Sequence, residues 1–426
     1  MTIWLLLPFV IGLVVGVPIS FSLALGVLTF LISSPIVPLD VLTQRMYTAA
    51  ASFPLMAIPF FVLAGDLMNR TGITLRLISF AKLLIGNIRG GLAQVMVITA
   101  TIFAGLSGSA VADTAAMVKI LAPTMEKEGY DKEFAAALSA ASGVIGPVIP
   151  PSTMMIVYGA VMNVSIGAMF IGGILPGLVL ALGLMITSYI ISVKRNYPKG
   201  ESKLNFKLFI EGTKDASLAL IMPIIILIGI RGGVFTPTEG GAVAVLYSLL
   251  LGFFVYKSLN LKAISEALLD AGVTSAVIMF IVAASSPFGW ILTLQQAPQV
   301  FADLILNITT NKYLILLIIN LFLLFMGMFM ETAAIILLLA PILAPIAVQV
   351  GVDPVHFALI MVINLCIGMC TPPLGVNLFV AAPIAGVSME KISRSIVPFI
   401  FAHLVSLLLI NLVPPLSLWL PKVISF

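Results

Sequence analysis

The chain has 426 residues, of which 61% are hydrophobic and 9% charged, with a formal net charge of +4. Its mean hydropathy is +1.21. A soluble protein cannot keep that much apolar surface from water, so the composition excludes a cytosolic enzyme and points to an all-α polytopic membrane protein. The positive excess indicates no nucleic-acid partner, because the Lys and Arg residues fall between apolar segments, as in loops on the cytoplasmic side of a bilayer.

The opening MTIWLLLPFV has no basic leader or small-residue cleavage site and is expected to be a retained helix. Residues 4–15 and 19–32 are apolar runs around Gly16-Val17-Pro18. Proline disfavours helix at the residue before it, so the runs form one bent helix or two short ones. Pro35 and Pro38 mark a loop, 41–51 reads as an interfacial stretch, and 53–68 reads as a membrane segment in which Asp66 sits near Arg70 as a structural pair. Residues 73–85 carry Arg76 and Lys82 among apolar neighbours, which suits a helix lying in the interface.

Residues 92–105 would span roughly 21 Å as a helix, against a hydrocarbon core of about 30 Å. Residues 110–125 are similarly short, and only Gly-Leu-Ser-Gly-Ser separates the two. This pattern predicts a re-entrant hairpin over 90–127 whose tip stops mid-membrane, where non-helical backbone is tolerated only beside protein or a water-filled cavity. Lys119, two turns past the tip, is expected to snorkel. Residues 130–145 run into Gly146-Pro147-Val148-Ile149-Pro150-Pro151-Ser152, and helix resumes to about 162. Three prolines in five positions make 130–163 a discontinuous span. Residues 166–193 complete a first unit, 1–193. The stretch from Lys194 to Lys214 holds six Lys/Arg and is the best candidate for a cytoplasmic linker, 194–215.

A second unit, 216–426, repeats the order. Spans are expected at 218–230 and 241–256, an amphipathic stretch at 259–269 and a further span at 273–294. A second short pair, 313–327 and 331–348, makes a hairpin over 312–348. Residues 357–369 break at Cys370-Thr371-Pro372-Pro373-Leu374-Gly375 and resume through Asn377, giving a broken helix over 353–385, and 396–420 closes the chain. Cys366 and Cys370 lie on one helical segment and read as small core residues rather than a disulfide or a metal site.

The two units correspond residue by residue. Asp113-Thr114-Ala115-Ala116 answers to Glu331-Thr332-Ala333-Ala334 at a separation of 218 (331 − 113), as Leu121-Ala122-Pro123 answers to Leu339-Ala340-Pro341. Gly129, Asp131, Ile145, Gly146, Pro150, Pro151, Ala160 and Pro176 match Gly351, Asp353, Ile367, Gly368, Pro372, Pro373, Ala382 and Pro398 at a constant 222 (351 − 129). Matches at fixed separation in the same order of elements indicate an internal repeat. With the linker inside the cell, Arg89, Lys127, Lys257, Lys262, Lys391 and Arg394 also fall inside. The hairpins then enter from opposite sides, so the repeats are inverted, which is the layout of a secondary transporter.

Each hairpin tip and each break presents the N-terminal end of a helix, whose free N–H groups and positive dipole suit an anionic substrate. Released carbonyls and hydroxyls suit Na⁺. At the first tip and break the candidate ion ligands are Ser107, Ser109, Asp113 and the Gly146 and Pro150 backbone. At the second they are Thr332, Thr371 and Asn377 beside the Gly327 and Gly368 backbone. Substrate is expected on Ser107, Ser109, Ser152, Thr153 and Glu331. Asp113 and Glu331 are each expected about one turn into a hairpin helix. A carboxylate at mid-membrane costs about 2.5–3.5 kcal/mol on insertion scales, so each either binds ligand or satisfies the helix dipole. Ser109 falls opposite Gly327 and Ser107 opposite Phe325, so substrate should lean on the first tip. No Lys or Arg lies at a tip or break, which leaves an anion's charge to bound Na⁺ and helix ends.

FAGLSGSAVADTAAM at 103–117, the Pro-Pro-Ser at Pro150 to Ser152 and the Thr-Pro-Pro-Leu-Gly-Val-Asn at Thr371 to Asn377 resemble the large membrane subunit of tripartite ATP-independent periplasmic (TRAP) transporters, over essentially the whole chain. The resemblance implies an elevator mechanism and coupling to two or more Na⁺ ions. It also implies a small four-helix membrane partner, a periplasmic substrate-binding protein, and an organic-acid substrate such as sialic acid or a C4-dicarboxylate, taken up across the bacterial inner membrane. Two other readings compete. One is a stand-alone Na⁺/carboxylate carrier or antiporter of related architecture. The other is an intramembrane serine protease using Gly105-Leu106-Ser107-Gly108 with His403 or, less aptly placed, His356.

Overall fold

The computed structural model describes residues 3–33, 38–85, 88–199 and 206–424. Pro35 and residues 200–205 of the expected linker lie outside them. Among the described residues every regular element is helical. Gly16, at φ +86°, reverses the chain so that α1 (Ile3–Val15) and α2 (Ile19–Ser33) are two helices packed side by side, not one bent helix. α3 (Leu39–Ala50) leads through a 3₁₀ turn, Phe53–Met56, into α4 (Ala57–Arg70), with a bend of 49° between them. α5 (Ile73–Ile85) buries Ile73, Leu77 and Ala81, while Arg76 stacks 4.2 Å above the Tyr256 ring.

α6 (Gly91–Ser107) and α7 (Ala110–Lys127) form the first hairpin, and α8 (Lys132–Gly143), α9 (Thr153–Met162) and α10 (Ile166–Lys194) follow. α6 is longer than its apolar run suggests because helix continues through Gly105-Leu106-Ser107, which leaves a turn of only Gly108 and Ser109. α11 (Phe206–Arg231) starts inside the stretch expected to be linker, and α12 (Pro237–Leu250) opens on a capping box of Thr236 and Glu239.

α13 (Leu261–Leu294) corrects the expectation of an amphipathic stretch followed by a separate span: the two are one helix of 34 residues. Asn260 caps it by accepting the Ala263 N–H at 2.8 Å, and the interior Gly272 costs a helix only about 1 kcal/mol, too little to break it. α14 (Ala297–Ile308), α15 (Lys312–Gly327), α16 (Thr332–Gln349), α17 (Pro354–Gly368) and α18 (Val376–Ala385) come next. The closing segment, expected to be continuous, divides into α19 (Met389–Leu412) and α20 (Pro415–Val423) at Pro414, which cannot donate to the helix ladder.

Among the described residues, five helices are long and apolar enough to cross a membrane, α12 counting together with the π-helical turn Leu251–Val255 that extends it, or six if the bent α3–α4 pair counts as one span. The two broken helices sit at the centre. Every residue from Phe134 to Gly143 of α8, and from His356 to Gly368 of α17, is buried. Around them α10 turns Leu178, Leu182, Ile186 and Ile190 outward, a 3–4-residue stripe suited to lipid. Asp131, before α8, pairs with Arg195 at the end of α10 at 2.6 Å, and Glu133 of α8 pairs across to Lys391 of α19 at 3.4 Å.

Polar side chains tie the buried helices together. Asn364 Nδ2 donates to Asn320 Oδ1 at 2.6 Å, and Asn320 Nδ2 donates to Asn411 Oδ1 at 2.9 Å, which links α15, α17 and α19. Such interhelical bonds are typically worth about 0.6 kcal/mol and at most about 2 kcal/mol in a membrane. Asn320→Leu strips Asn411 Oδ1 of its partner and leaves Asn364 Nδ2 only the residue-320 backbone carbonyl at 2.9 Å, so it is expected to cost about 1–2 kcal/mol. Thermal unfolding in detergent should show this as a lowered midpoint, and an unchanged midpoint would mean the three amides do not brace the helices.

Candidate functional site

The first tip is built around a close contact. Gly108 adopts φ +61°, and a Cβ there would lie 2.6 Å from the Pro151 carbonyl oxygen, so the first break seats on the hairpin only because the turn residue is glycine. Ser109 caps α7, accepting the Ala112 N–H at 3.4 Å. The Ser107 hydroxyl donates to the Asp113 carboxylate and accepts the Ser109 N–H at 3.2 Å. Asp113 is fully buried, its Oδ2 has no hydrogen-bond partner, and the buried Thr114 hydroxyl beside it has none either. A Cβ on Gly146 would collide with Asp113 Oδ2, and one on Gly143 would collide with the Thr114 hydroxyl. The carboxylate and hydroxyl therefore press against the frayed end of α8. Buried oxygens without protein partners are the donor set that a small hard cation completes.

The second tip differs. α16 starts at Thr332, and Glu331 is its N-cap residue without making a side-chain cap bond. The expectation of a carboxylate one turn into the helix holds for Asp113, the fourth residue of α7, and fails for Glu331. The position answering to Ser109 is Gly327, which has no hydroxyl to cap a helix and is held against α17. A Cβ on Gly368 would come 2.6 Å from the Gly327 carbonyl carbon. The helix accordingly starts one turn later, leaving Glu331 exposed and the Thr332 hydroxyl buried without a partner. The Thr371 hydroxyl is spent on the Ile367 carbonyl at 2.7 Å. Asn377 reaches across to the first half, donating to the Ala140 carbonyl at 3.2 Å with its Oδ1 unpartnered.

A cavity of about 360 Å³ brings the tips together: Ser107, Ser109 and Thr153 line it from the first half, and Glu331 and Thr332 from the second. Asp113, Gly146, Pro150, Gly327, Gly368, Thr371 and Asn377 do not line it. Ser152 does not line it either, being a fully buried cap that accepts the Met155 N–H at 3.3 Å. The opposite wall is α4 and α13, where one feature goes beyond the expected Asp66–Arg70 pair. Arg70 contacts Asp66 at 2.9 Å, Glu266 at 2.8 Å and Asp270 at 2.7 Å. The i, i+4 spacing of Glu266 and Asp270 was the available signal. The guanidinium is saturated by three carboxylates, so it leaves the cavity without a free cation.

A second cavity, about 700 Å³, lies along the same seam. α9 contributes Thr153 and Met154 to the first cavity and Ala160 and Val161 to the second. α13 contributes Asp270 to Ile278 and then Val282 to Thr293, and α16 contributes Thr332 and then Leu337 and Pro341. The two cavities occupy opposite ends of one interface, separated on α13 by about one helical turn.

The protease geometry is not formed. The Ser107 hydroxyl is paired with Asp113, and His403 Nε2 lies 3.0 Å from the Ala141 carbonyl.

Residues 6–416 match the family model described as the DctM component of the tripartite ATP-independent periplasmic transporter. The sialic acid TRAP transporter large permease protein SiaM of Vibrio cholerae is 42% identical over 410 residues, covering 96% of this chain and 95% of that protein. The C4-dicarboxylate TRAP transporter large permease protein DctM of the same organism is 38% identical, covering 100% and 98%. The isethionate TRAP transporter permease protein DctMQ of Oleidesulfovibrio alaskensis is 43% identical over 96% of this chain, which spans 65% of that longer protein. Among solved structures, the Alcanivorax borkumensis YdaH transporter shares the fold at a TM-score of 0.63 and 14% identity, with 88% of each chain covered. These relatives are transporter permeases rather than enzymes, and this multi-pass membrane protein belongs to the DctM component family of TRAP transporters.

Proposed function

We propose that the chain is the large subunit of a Na⁺-coupled tripartite system for uptake of an organic acid, of the sialic acid or C4-dicarboxylate class, across the bacterial inner membrane. The observation that carries this reading is the cavity on which both hairpin tips converge, backed by buried oxygens that lack protein partners. Asp113 Oδ2 and the Thr114 hydroxyl form the core of one Na⁺ site, and the Thr332 hydroxyl belongs to a second. Na⁺ enters as a transported co-substrate whose charge meets both Asp113 and the substrate's carboxylate. The cavity lining favours this order of events, because Asp66, Asp270 and Glu331 face it without a cation among the described lining residues, which attracts a cation and repels a bare anion. Ser107, Ser109 and Thr153 hydroxyls then hold the substrate beside the α7 and α16 N-terminal ends.

The two cavities on one seam support alternating access by sliding. Residues 1–193 and 216–426 form inverted repeats whose hairpins and broken helices move against α4 and α13, exposing the site first at one end of α13 and then at the other. By the charge trace of the loops, the Asp270 end faces the cytoplasm and the Trp290 end the periplasm. A small four-helix membrane subunit and a periplasmic binding protein complete the system, in line with the names of the relatives. Those names span three different small organic anions.

The test is uptake into proteoliposomes holding the chain with its membrane partner, using labelled sialic acid and labelled succinate, each with and without a binding protein. Uptake is expected for one of the two, driven by an inward Na⁺ gradient and dependent on the binding protein. Transport of free substrate without that protein would sink the tripartite reading in favour of a stand-alone carrier.

A second measurement addresses the ion sites. Asp113→Asn and Thr332→Val are expected to raise the Na⁺ concentration for half-maximal uptake about tenfold, roughly 1.4 kcal/mol, with the thermal midpoint preserved. Ser152→Ala, which removes only a helix cap, should instead cost about 1 kcal/mol of stability and leave the Na⁺ dependence where it was. If all three variants keep the wild-type Na⁺ dependence, the orphan oxygens are not the ion ligands.

A further inference from the structure

We infer that the second cavity is an anion-capture chamber in which the Arg45 guanidinium, stacked on Trp290, takes the substrate's carboxylate before the hairpin site receives it. This inference rests on the uptake reading above. Among the described residues, Arg45 is the single charged one lining the cavity of about 700 Å³. Its guanidinium carbon lies 4.3 Å from the centre of the Trp290 ring, and no carboxylate among the described side chains pairs with it. Arg70, beside the other cavity, is paired with three carboxylates, which neutralise its charge. The contrast assigns the two arginines different work, the one neutralised inside the wall and the other left with its charge available.

The stack also sets how that charge is presented. The indole lies under the guanidinium and anchors it by a cation–π contact, and a guanidinium held in this way can offer N–H groups for a forked contact with a planar anion. Three of the five hydroxyls that line the cavity donate to their own helices, and Ser52 and Ser286 complete the lining. Thr48 donates to the Gln44 carbonyl at 2.7 Å, Ser285 to the Val282 carbonyl at 3.0 Å and Thr293 to the Gly289 carbonyl at 2.9 Å. The ligand class is therefore a small organic anion with a carboxylate, or an equivalent oxyanion, able to accept two parallel N–H bonds. Arg45 and Trp290 sit on α3 and α13, opposite the hairpin helices, so the anion is met by the fixed wall and is passed to the Ser107–Ser109 tip when that tip arrives at this end of the seam.

Two measurements test the assignment. In full-length protein carrying Trp4→Phe and Trp419→Phe, Trp290 is the sole tryptophan. Its fluorescence should change saturably on titration with succinate or sialic acid, and not with NaCl at equal ionic strength. Arg45→Gln should abolish the response, and Arg45→Lys should weaken it. In the uptake assay Arg45→Gln is expected to raise the substrate KM about tenfold to a hundredfold, the equivalent of one charge-assisted forked contact, with kcat and the Na⁺ dependence little changed. Equal fluorescence responses with and without Arg45, or a wild-type KM in Arg45→Gln, would overturn the inference. Should the wild-type chain move no organic acid at all, the uptake reading fails by itself, while the titration still decides whether Arg45 and Trp290 bind anions.

Discussion

The structure depends on keeping broken backbone inside a membrane without leaving its polar groups bare. Four interruptions, two tips and two breaks, place non-helical chain at depth, and each covers another. The Pro151 carbonyl rests on Gly108, and Gly327 rests on Gly368. Neither contact tolerates a side chain, so the glycines act as seats rather than as hinges. Because lipid offers no hydrogen bonds, these pairings decide where a break can be put at all. The placement of every site residue follows from them.

Once seated, the breaks do chemical work through what they leave unsatisfied. Asp113, Thr114, Thr332 and Asn377 each keep a buried oxygen without a protein partner. Other buried polar atoms, such as the Thr99 and Ser275 hydroxyls and Asn364 Oδ1, also lack partners; what singles these four out is that they sit at the tips and breaks. The two tips do not do the same thing. Ser109 caps α7 and lets Asp113 sink into the helix, whereas Gly327 cannot cap and pushes the start of α16 onward, which leaves Glu331 in the cavity. One capping hydroxyl thus separates a buried carboxylate from an exposed one.

Much of this was legible in the order of residues, because the signals were local. Short apolar runs around Gly-Leu-Ser-Gly-Ser, three prolines in five positions, and a repeat at fixed separation mark hairpins and breaks through rules that need no tertiary knowledge. What escaped is what packing decides. Ser152, a hydroxyl donor at the first break by position, is buried and accepts the N–H of Met155 in its own helix. Glu331 looked equivalent to Asp113 because the flanking sequence matches, but the contact that shifts it involves Gly368, far along the chain. The grip of Glu266 and Asp270 on Arg70 joins positions some 200 apart. The i, i+4 spacing of the two acidic residues marks a shared helix face, but not that Arg70 is the partner it meets.

α13 has a consequence of its own. Its 34 residues make a rod of about 51 Å, and even the stretch beyond Asp270 exceeds the roughly 30 Å hydrocarbon thickness. A rod that long must lean or protrude. Both cavities are laid out along it, so wherever the rod leans their common track leans with it. In the sliding proposed above, a body following a leaning track would travel sideways through the lipid as it changes depth. The cost of that proposed stroke would include displacing and re-seating annular lipids, which would make bilayer thickness and fluidity part of the rate.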